Sequence, residues 1–285
     1  MKLSKGFYFT FTAAFVWAIS IVITKIVLKT GNNVYNVVFW ITLLASPYWL
    51  FVFSRKFNEF KTTAKKNYLI LLGIGIISTI GVSIVEVFAL KYSPAVNYSF
   101  LIRSTILFTI IFAYLFLDER LTLKKIIIAI LILAGIYFLT TKGKLIAFSL
   151  GDIFTLIETM LIAFGNSVLG KMATNKMSAK LSSSASFLIG VLPIAIITFF
   201  NNAIAIPKSL ILIIFLAILS ILSMSLRFQA YKNATASYVA MIYSFTPVFV
   251  LLMSIPFLKE TMAPAQLLGG ALIVLGGIAV EKLKI

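Results

Sequence analysis

The sequence predicts an all-α integral membrane protein, with ten transmembrane helices in two inverted five-helix repeats. Three observations lead there. The 285 residues are 61% hydrophobic and only 12% charged, with a mean hydropathy of +1.08, whereas a soluble domain carries about 25% charged residues. The apolar runs approach the roughly 20 residues that cross about 30 Å of hydrocarbon. The two halves of the chain also repeat the same prolines, glycines and end charges at fixed offsets.

Each element is bounded by charge or turn signals. The first helix, 6 to 28, follows Lys2 and Lys5. It outruns the apolar core of a signal peptide, and no clear small-x-small cleavage site follows it, so it is expected to stay in the mature chain. The second, 34 to 53, stops before Arg55 and Lys56; the third, 67 to 90, lies between Lys66 and Lys91. The fourth, 94 to 116, ends ahead of Asp118-Glu119-Arg120, and the fifth, 123 to 140, ahead of Lys142 and Lys144. The sixth, 149 to 169, is placed before Lys171, the seventh, 182 to 200, after Lys180, and the eighth, 209 to 230, between Lys208 and Lys232. The ninth, 234 to 256, precedes Lys259-Glu260, and the tenth, 264 to 281, precedes Lys282. No soluble domain fits between them.

The net charge of +17 would suggest nucleic acid in a soluble chain, but sorting it by segment changes the conclusion. With the N-terminus inside, sixteen of the 25 basic residues fall in inner segments and seven in outer ones, with Arg103 and Arg227 inside helices. The positive-inside rule then puts both termini in the cytoplasm, in a multi-pass protein of the cytoplasmic membrane. The excess charge meets anionic lipid headgroups, so membrane lipids rather than nucleic acid are the expected partners, beside a small-molecule substrate. Composition leaves monomer and homodimer open.

With no cysteine and no histidine, the chain lacks disulfides, thiolate or imidazole metal sites and histidine-based catalysis. Of its eight carboxylates, Glu59, Asp118, Glu119, Glu260 and Glu281 fall in polar connections or at the terminus, where solvation accounts for them. No glycine pattern makes a phosphate loop, so no cofactor is expected and coupling would come from a gradient or from exchange.

Shifting the chain on itself by 146 residues pairs Lys25 with Lys171 and Pro47 with Pro193. At an offset of 141, Lys91 meets Lys232, Thr105 meets Thr246, Glu119 meets Glu260 and Gly135 meets Gly276. The halves, 1–145 and 146–285, each hold an odd number of crossings. The second therefore enters the membrane from the opposite side, which is the geometry of alternating access around a fixed central site.

The run Phe15-Val16-Trp17-Ala18-Ile19-Ser20 leading to Lys25 has an echo in Ala163-Phe164-Gly165-Asn166-Ser167 leading to Lys171. The motif Leu117-Asp118-Glu119-Arg120-Leu121-Thr122 has a second copy in Leu258-Lys259-Glu260-Thr261, continuing into Gln266, Gly269 and Gly276. With these marks the chain resembles, over nearly its whole length, ten-helix members of the drug/metabolite transporter superfamily with two EamA-type domains. Ala18, Ala163 and Ile128 depart from the family pattern. The resemblance implies a solute transporter, an exporter by analogy, and does not select among amino acids, drugs, cations, nucleotide sugars and phosphorylated compounds. The aromatic share of 14% favours an amino acid slightly. The rivals are a membrane enzyme acting on lipid-linked substrates, which would need a clustered acidic face, and a membrane interaction protein that transports nothing.

Charges at mid-bilayer cost at least about 2.5 to 3.5 kcal/mol and are functional candidates by default. Four occur: Glu86, Arg103, Glu158 and Arg227. Arg103 must find a carboxylate, carbonyls or an anionic substrate group, and Ser99 shares its helix face. Glu86 and Arg227 are repeat-equivalent and read as gate charges, although Arg227 could snorkel and Glu86 could pair with Arg103. Glu158 is a candidate proton carrier. Thr10, Trp17, Ser20 and Thr24 make a mixed stripe on the first helix, suited to a cavity wall, and Asn166, Tyr243 and Ser244 complete the substrate-binding candidates. Gly269 and Gly276 are expected to serve helix packing.

Overall fold

The computed structural model describes residues 3–82, 85, 88–89, 92, 98, 100–145, 149–258 and 263–283, and every regular element among them is helical. The first half opens with α1 (Lys5–Lys29), α2 (Val34–Arg55), the short α3 (Phe57–Thr62) and α4 (Lys65–Gly75), which runs on into a π-helical turn, Ile76–Gly81. A 3₁₀ turn, Ile102–Ser104, then leads into α5 (Thr105–Leu117), and α6 (Leu123–Thr141) closes the half. In the second half α7 (Leu150–Ile162), a π-helical turn (Ala163–Val168) and α8 (Leu169–Lys176) form one continuous span. After them come α9 (Ala179–Phe200), α10 (Leu210–Asn233), α11 (Ala236–Tyr243), α12 (Thr246–Leu258) and α13 (Pro264–Leu283).

Eight of these spans are long and apolar enough to cross a membrane, and Ile102–Leu117 is a shorter apolar helix. With the third crossing, described from Lys65 to residue 82, they account for the ten expected. One expectation needs correction. The sixth crossing does not stop before Lys171 but continues to Lys176, because the Lys171 ammonium donates to the Tyr231 carbonyl at 2.6 Å and so is not forced out of the helix. The polar connection after α2 carries the short helix α3.

Four of the helix starts at the end of the molecule shared by the chain termini carry hydroxyl caps, which serve N–H groups left without intrahelical partners, while α3 and α4 start at Lys56 and Ala64 without one. Ser4 accepts from Phe7, Thr122 from Lys125, Ser178 from Leu181 and Thr235 from Tyr238, at 3.0 to 3.3 Å.

Helix contacts come in repeat-related pairs. The first crossing packs on the eighth (α1 on α10), and correspondingly the sixth packs on the third (α8 on α4). The first also touches the ninth (α12), and the turn of the sixth touches the fourth (α5). The second meets the seventh, the fourth the ninth and the fifth the tenth, each a helix facing its own counterpart. Such a pattern is what a pseudo-two-fold axis in the membrane plane produces. The proline-bearing helices α2 and α9 form one of these pairs, each running unbroken through Pro47 or Pro193.

The largest apolar cluster joins Ile106 and Ile110 of α5, Ile132 and Ile136 of α6, Met241 and Ile242 of α11 and Ile273 of α13. Where α6 meets α13, a side chain on Gly135 would stand 2.7 Å from the Gly269 carbonyl, and one on Gly269 would stand 2.6 Å from the Leu139 amide. The glycines are there so that two backbones can touch. Gln266 adds a donor to the Leu139 carbonyl at 3.1 Å.

Candidate functional site

The fourth and ninth crossings are interrupted at repeat-equivalent positions. The 3₁₀ turn Ile102–Ser104 breaks one, and residues 244–245, between α11 and α12, break the other. The local chemistry repeats as well: Thr105 Oγ1 donates to the Ile102 carbonyl at 2.6 Å, and Thr246 Oγ1 to the Tyr243 carbonyl at 2.8 Å. Each hydroxyl turns back to the carbonyl three residues earlier, at the break in its helix. Paired interruptions of this kind near the midplane are where transporters built of inverted repeats place their ligands.

Arg103 lies in the first interruption and Tyr243 at the edge of the second. The half-buried Arg103 guanidinium has the phenol groups of Tyr98 and Tyr243 as electrostatic neighbours. Tyr98 donates to Glu158 Oε1 at 3.1 Å, and Glu158 is 2% exposed. On the other side, Tyr243 hydrogen-bonds Ser223 and feels both Arg227 and Tyr231. Tyr231 donates to Ser167 Oγ at 3.5 Å, and Ser167 accepts from Thr109 at 3.4 Å. A polar chain thus runs Glu158, Tyr98, Arg103, Tyr243, Arg227, Tyr231, Ser167 through the fourth, sixth, eighth and ninth crossings.

Local geometry explains the convergence. Ser223, Arg227 and Tyr231 are spaced by four and present one face of α10. Ser167 belongs to the π-helical turn 163–168, and such turns recur at functional sites. That turn packs on its counterpart in the third crossing, where a side chain on Gly165 would stand 2.7 Å from Ser78 Oγ, a buried hydroxyl with no hydrogen-bond partner among the described residues.

The expected residues divide accordingly. Arg103, Glu158, Tyr243 and Arg227 belong to the chain, Arg227 as an electrostatic neighbour of Tyr231 and Tyr243. Asn166 is half-buried in the same turn as Ser167, and Ser244 is buried with its hydroxyl given to the Met241 carbonyl. The stripe on the first helix is otherwise employed. Thr10 and Ser20 spend their hydroxyls on the carbonyls of Gly6 (2.7 Å) and Val16 (3.1 Å), while Trp17 is 41% exposed. In apolar surroundings a hydroxyl turns back to the carbonyl four residues earlier. Glu86 and Ser99 lie outside the described residues. Sequence reasoning missed Tyr98, Thr109, Ser167, Ser223 and Tyr231. The four-residue spacing around Arg227 was the available signal for two of them.

The carboxylates assigned to solvent are instead structural, except Asp118 and Glu260. Asp118 is exposed, in a left-handed turn, and Glu260 lies outside the described residues. Glu119 accepts from the backbone of Ala236 (2.6 Å) and Ser237 (3.2 Å) and from the Ser237 hydroxyl, and stands 3.7 Å from Lys125 Nζ. Glu59 accepts from the amide and hydroxyl of Ser178 at 2.7 and 2.8 Å. Glu281 takes the Ser4 amide at 2.9 Å and the Tyr238 hydroxyl. All three tie an element of one half to a helix start of the other, where a negative charge meets the positive end of the helix dipole. For Glu59, partial burial pushes the carboxyl up, but the Ser178 hydrogen bonds and the Lys56 ammonium outweigh it and hold it below the ordinary glutamate value.

Among the described residues no cluster of acidic side chains could hold a metal ion. Comparison with known proteins adds three findings. Residues 4–141 and 149–280 match the EamA-like transporter family. The chain is 26% identical over 274 residues to an uncharacterized transporter of Archaeoglobus fulgidus, covering 92% of each, and 27% identical over 150 residues to one of Methanothermobacter thermautotrophicus, covering 48% of this chain and 43% of the other. A protein of known crystal structure superposes with a TM-score of 0.80 at 17% identity, over 99% of this chain and 98% of its own, which is a likeness of fold.

Proposed function

The chain belongs to the EamA-like transporter family and is a membrane transporter, and from that premise we propose that it moves a small organic metabolite bearing an anionic group, an amino acid first among them, by alternating access. The observation that carries this reading is the polar chain threading the two helix interruptions, with the Arg103 guanidinium at its centre. A permanently charged planar fork inside a membrane protein is suited to a carboxylate. Glu158, joined to Tyr98, offers an acceptor for an ammonium group or a proton. Residues 1–145 and 146–285 are the two moving halves, rocking about the shared site while their end contacts exchange.

In this proposal the protein resides in the cytoplasmic membrane of a prokaryote with both termini inside, exports its substrate, draws on a gradient or on exchange, and performs no covalent chemistry. The test is flux. Purified protein is screened against metabolite pools for thermal stabilisation, and each hit is followed as uptake or release in sealed proteoliposomes. Saturable flux of a carboxylate-bearing solute that falls with Arg103→Lys supports the reading. Stabilisation and flux only by solutes lacking an anionic group would overturn it.

A further inference from the structure

Between α2, α3, α4 and α9 lies an apolar groove of about 440 Å³ that the transport reading leaves unused. Phe53, Phe60, Tyr68, Leu72, Leu188 and Ile189 line it. Its aromatic wall is built from local contacts: Phe60 stacks on Tyr68 at 4.7 Å between ring centroids and on Phe57 at 6.2 Å, and the Tyr68 hydroxyl donates to the Phe60 carbonyl at 2.9 Å. The short helix α3 is thereby pinned over the start of α4.

Exposed cations surround this corner. Arg55, Lys61, Lys65 and Lys66 all face solvent, and Lys61 Nζ stands 4.7 Å from the centroid of the Phe57 ring. Lys65 precedes Tyr68 and Leu72 by three and seven residues, so it heads the helix face that lines the groove. The carboxylate of α3, Glu59, is already committed to Ser178 and to Lys56 at 3.2 Å, and does not neutralise them. The inverted repeat offers an internal control. The corresponding connection of the second half, residues 201–209, holds no helix and a single cation, Lys208, and latches α2 instead through Asn36 and Trp40 to the Ala205 carbonyl at 2.6 and 2.7 Å. That connection lies at the opposite end of the molecule, where the positive-inside asymmetry places few cations, so the comparison shows that this packing does not require a helix.

We infer that this groove takes an acyl chain of an anionic phospholipid from the leaflet on the side of the chain termini, with its phosphate held by Lys61 and Lys65. The groove gives the chain an apolar bed beside the bilayer, the aromatic rings sit at headgroup level, and clustered lysines next to a spanning helix attract anionic lipid. A zwitterionic lipid meets the same bed but leaves the cations without net compensation.

The experiment is native mass spectrometry of the full-length protein in detergent, titrated with phosphatidylglycerol and phosphatidylcholine of equal chain length. One phosphatidylglycerol per chain is expected to bind preferentially. Replacing both lysines (Lys61→Gln with Lys65→Gln) should weaken it about 25-fold, about five-fold for each cation near the surface, and leave phosphatidylcholine unchanged. Leu188→Trp, which fills the groove, should remove both lipids, with its melting temperature in lipid-free detergent reporting whether it folds. Should that variant not fold, the lysine pair decides alone. Equal affinity for the two lipids, retention of phosphatidylglycerol by either folded variant, equal binding of glycerol phosphate without its chains, or a dimer that excludes lipid from the groove each overturns the inference.

Discussion

Arg103 and Glu59 show how differently two charges are used in one chain. If Arg103 holds a substrate carboxylate, Arg103→Lys keeps the charge but loses the planar fork, and transport efficiency is expected to fall roughly 10- to 100-fold with little change in melting temperature. Wild-type flux from a folded Arg103→Lys protein would remove the residue from the site. Glu59 belongs to stability. Its carboxyl is held below the ordinary value, so its contribution is full above the unfolded glutamate value of about 4.3 and is lost as pH falls through the lower folded value. Thermal unfolding should therefore show wild type more stable than Glu59→Gln at neutral pH, with the difference closing below about pH 4. At this scale the sequence was legible where burial is expensive: Arg103 and Glu158 stand out in an apolar run. It was illegible where a charge sits near a helix end, because solvent and a partner's helix start are equally good destinations for Glu59, Glu119 and Glu281.

Elements were legible as far as periodicity and charge could mark them. Lys171 misled the end of the sixth helix, since a lysine reads as a boundary until the Tyr231 carbonyl that receives it is known. The turn 163–168 and the interruptions at 102–104 and 244–245 had no such mark, because they follow from packing between distant segments, not from local propensity. The matched Thr105 and Thr246 were the trace they left. The glycine contact between α6 and α13 gives a direct test at this scale. Gly135→Ala and Gly269→Ala each push a methyl into backbone that cannot yield, so each should destabilise by about 1 to 3 kcal/mol. Chemical unfolding in detergent checks this, and a neutral effect of both would mean the helices are further apart than described.

The whole molecule follows from duplication, legible in the offsets of 146 and 141 residues and consistent with contacts that occur in counterpart pairs. Orientation rests on sixteen inner cations against seven outer ones. The absence of native cysteine makes labelling clean: Lys61→Cys should react only from the cytoplasmic side, and Leu145→Cys, at a residue 96% exposed, only from outside. The reverse pattern would invert the protein in its membrane. The pairing of crossings between halves also bears on synthesis. Because α1 packs on α10, a helix that leaves the ribosome early waits for a partner about 180 residues behind it, roughly 10 to 40 s at ordinary elongation rates. Through that interval the finished first half sits in the bilayer with its mating faces uncovered. A nascent chain stalled after its fifth crossing is therefore a substrate for quality-control proteolysis rather than a folded intermediate.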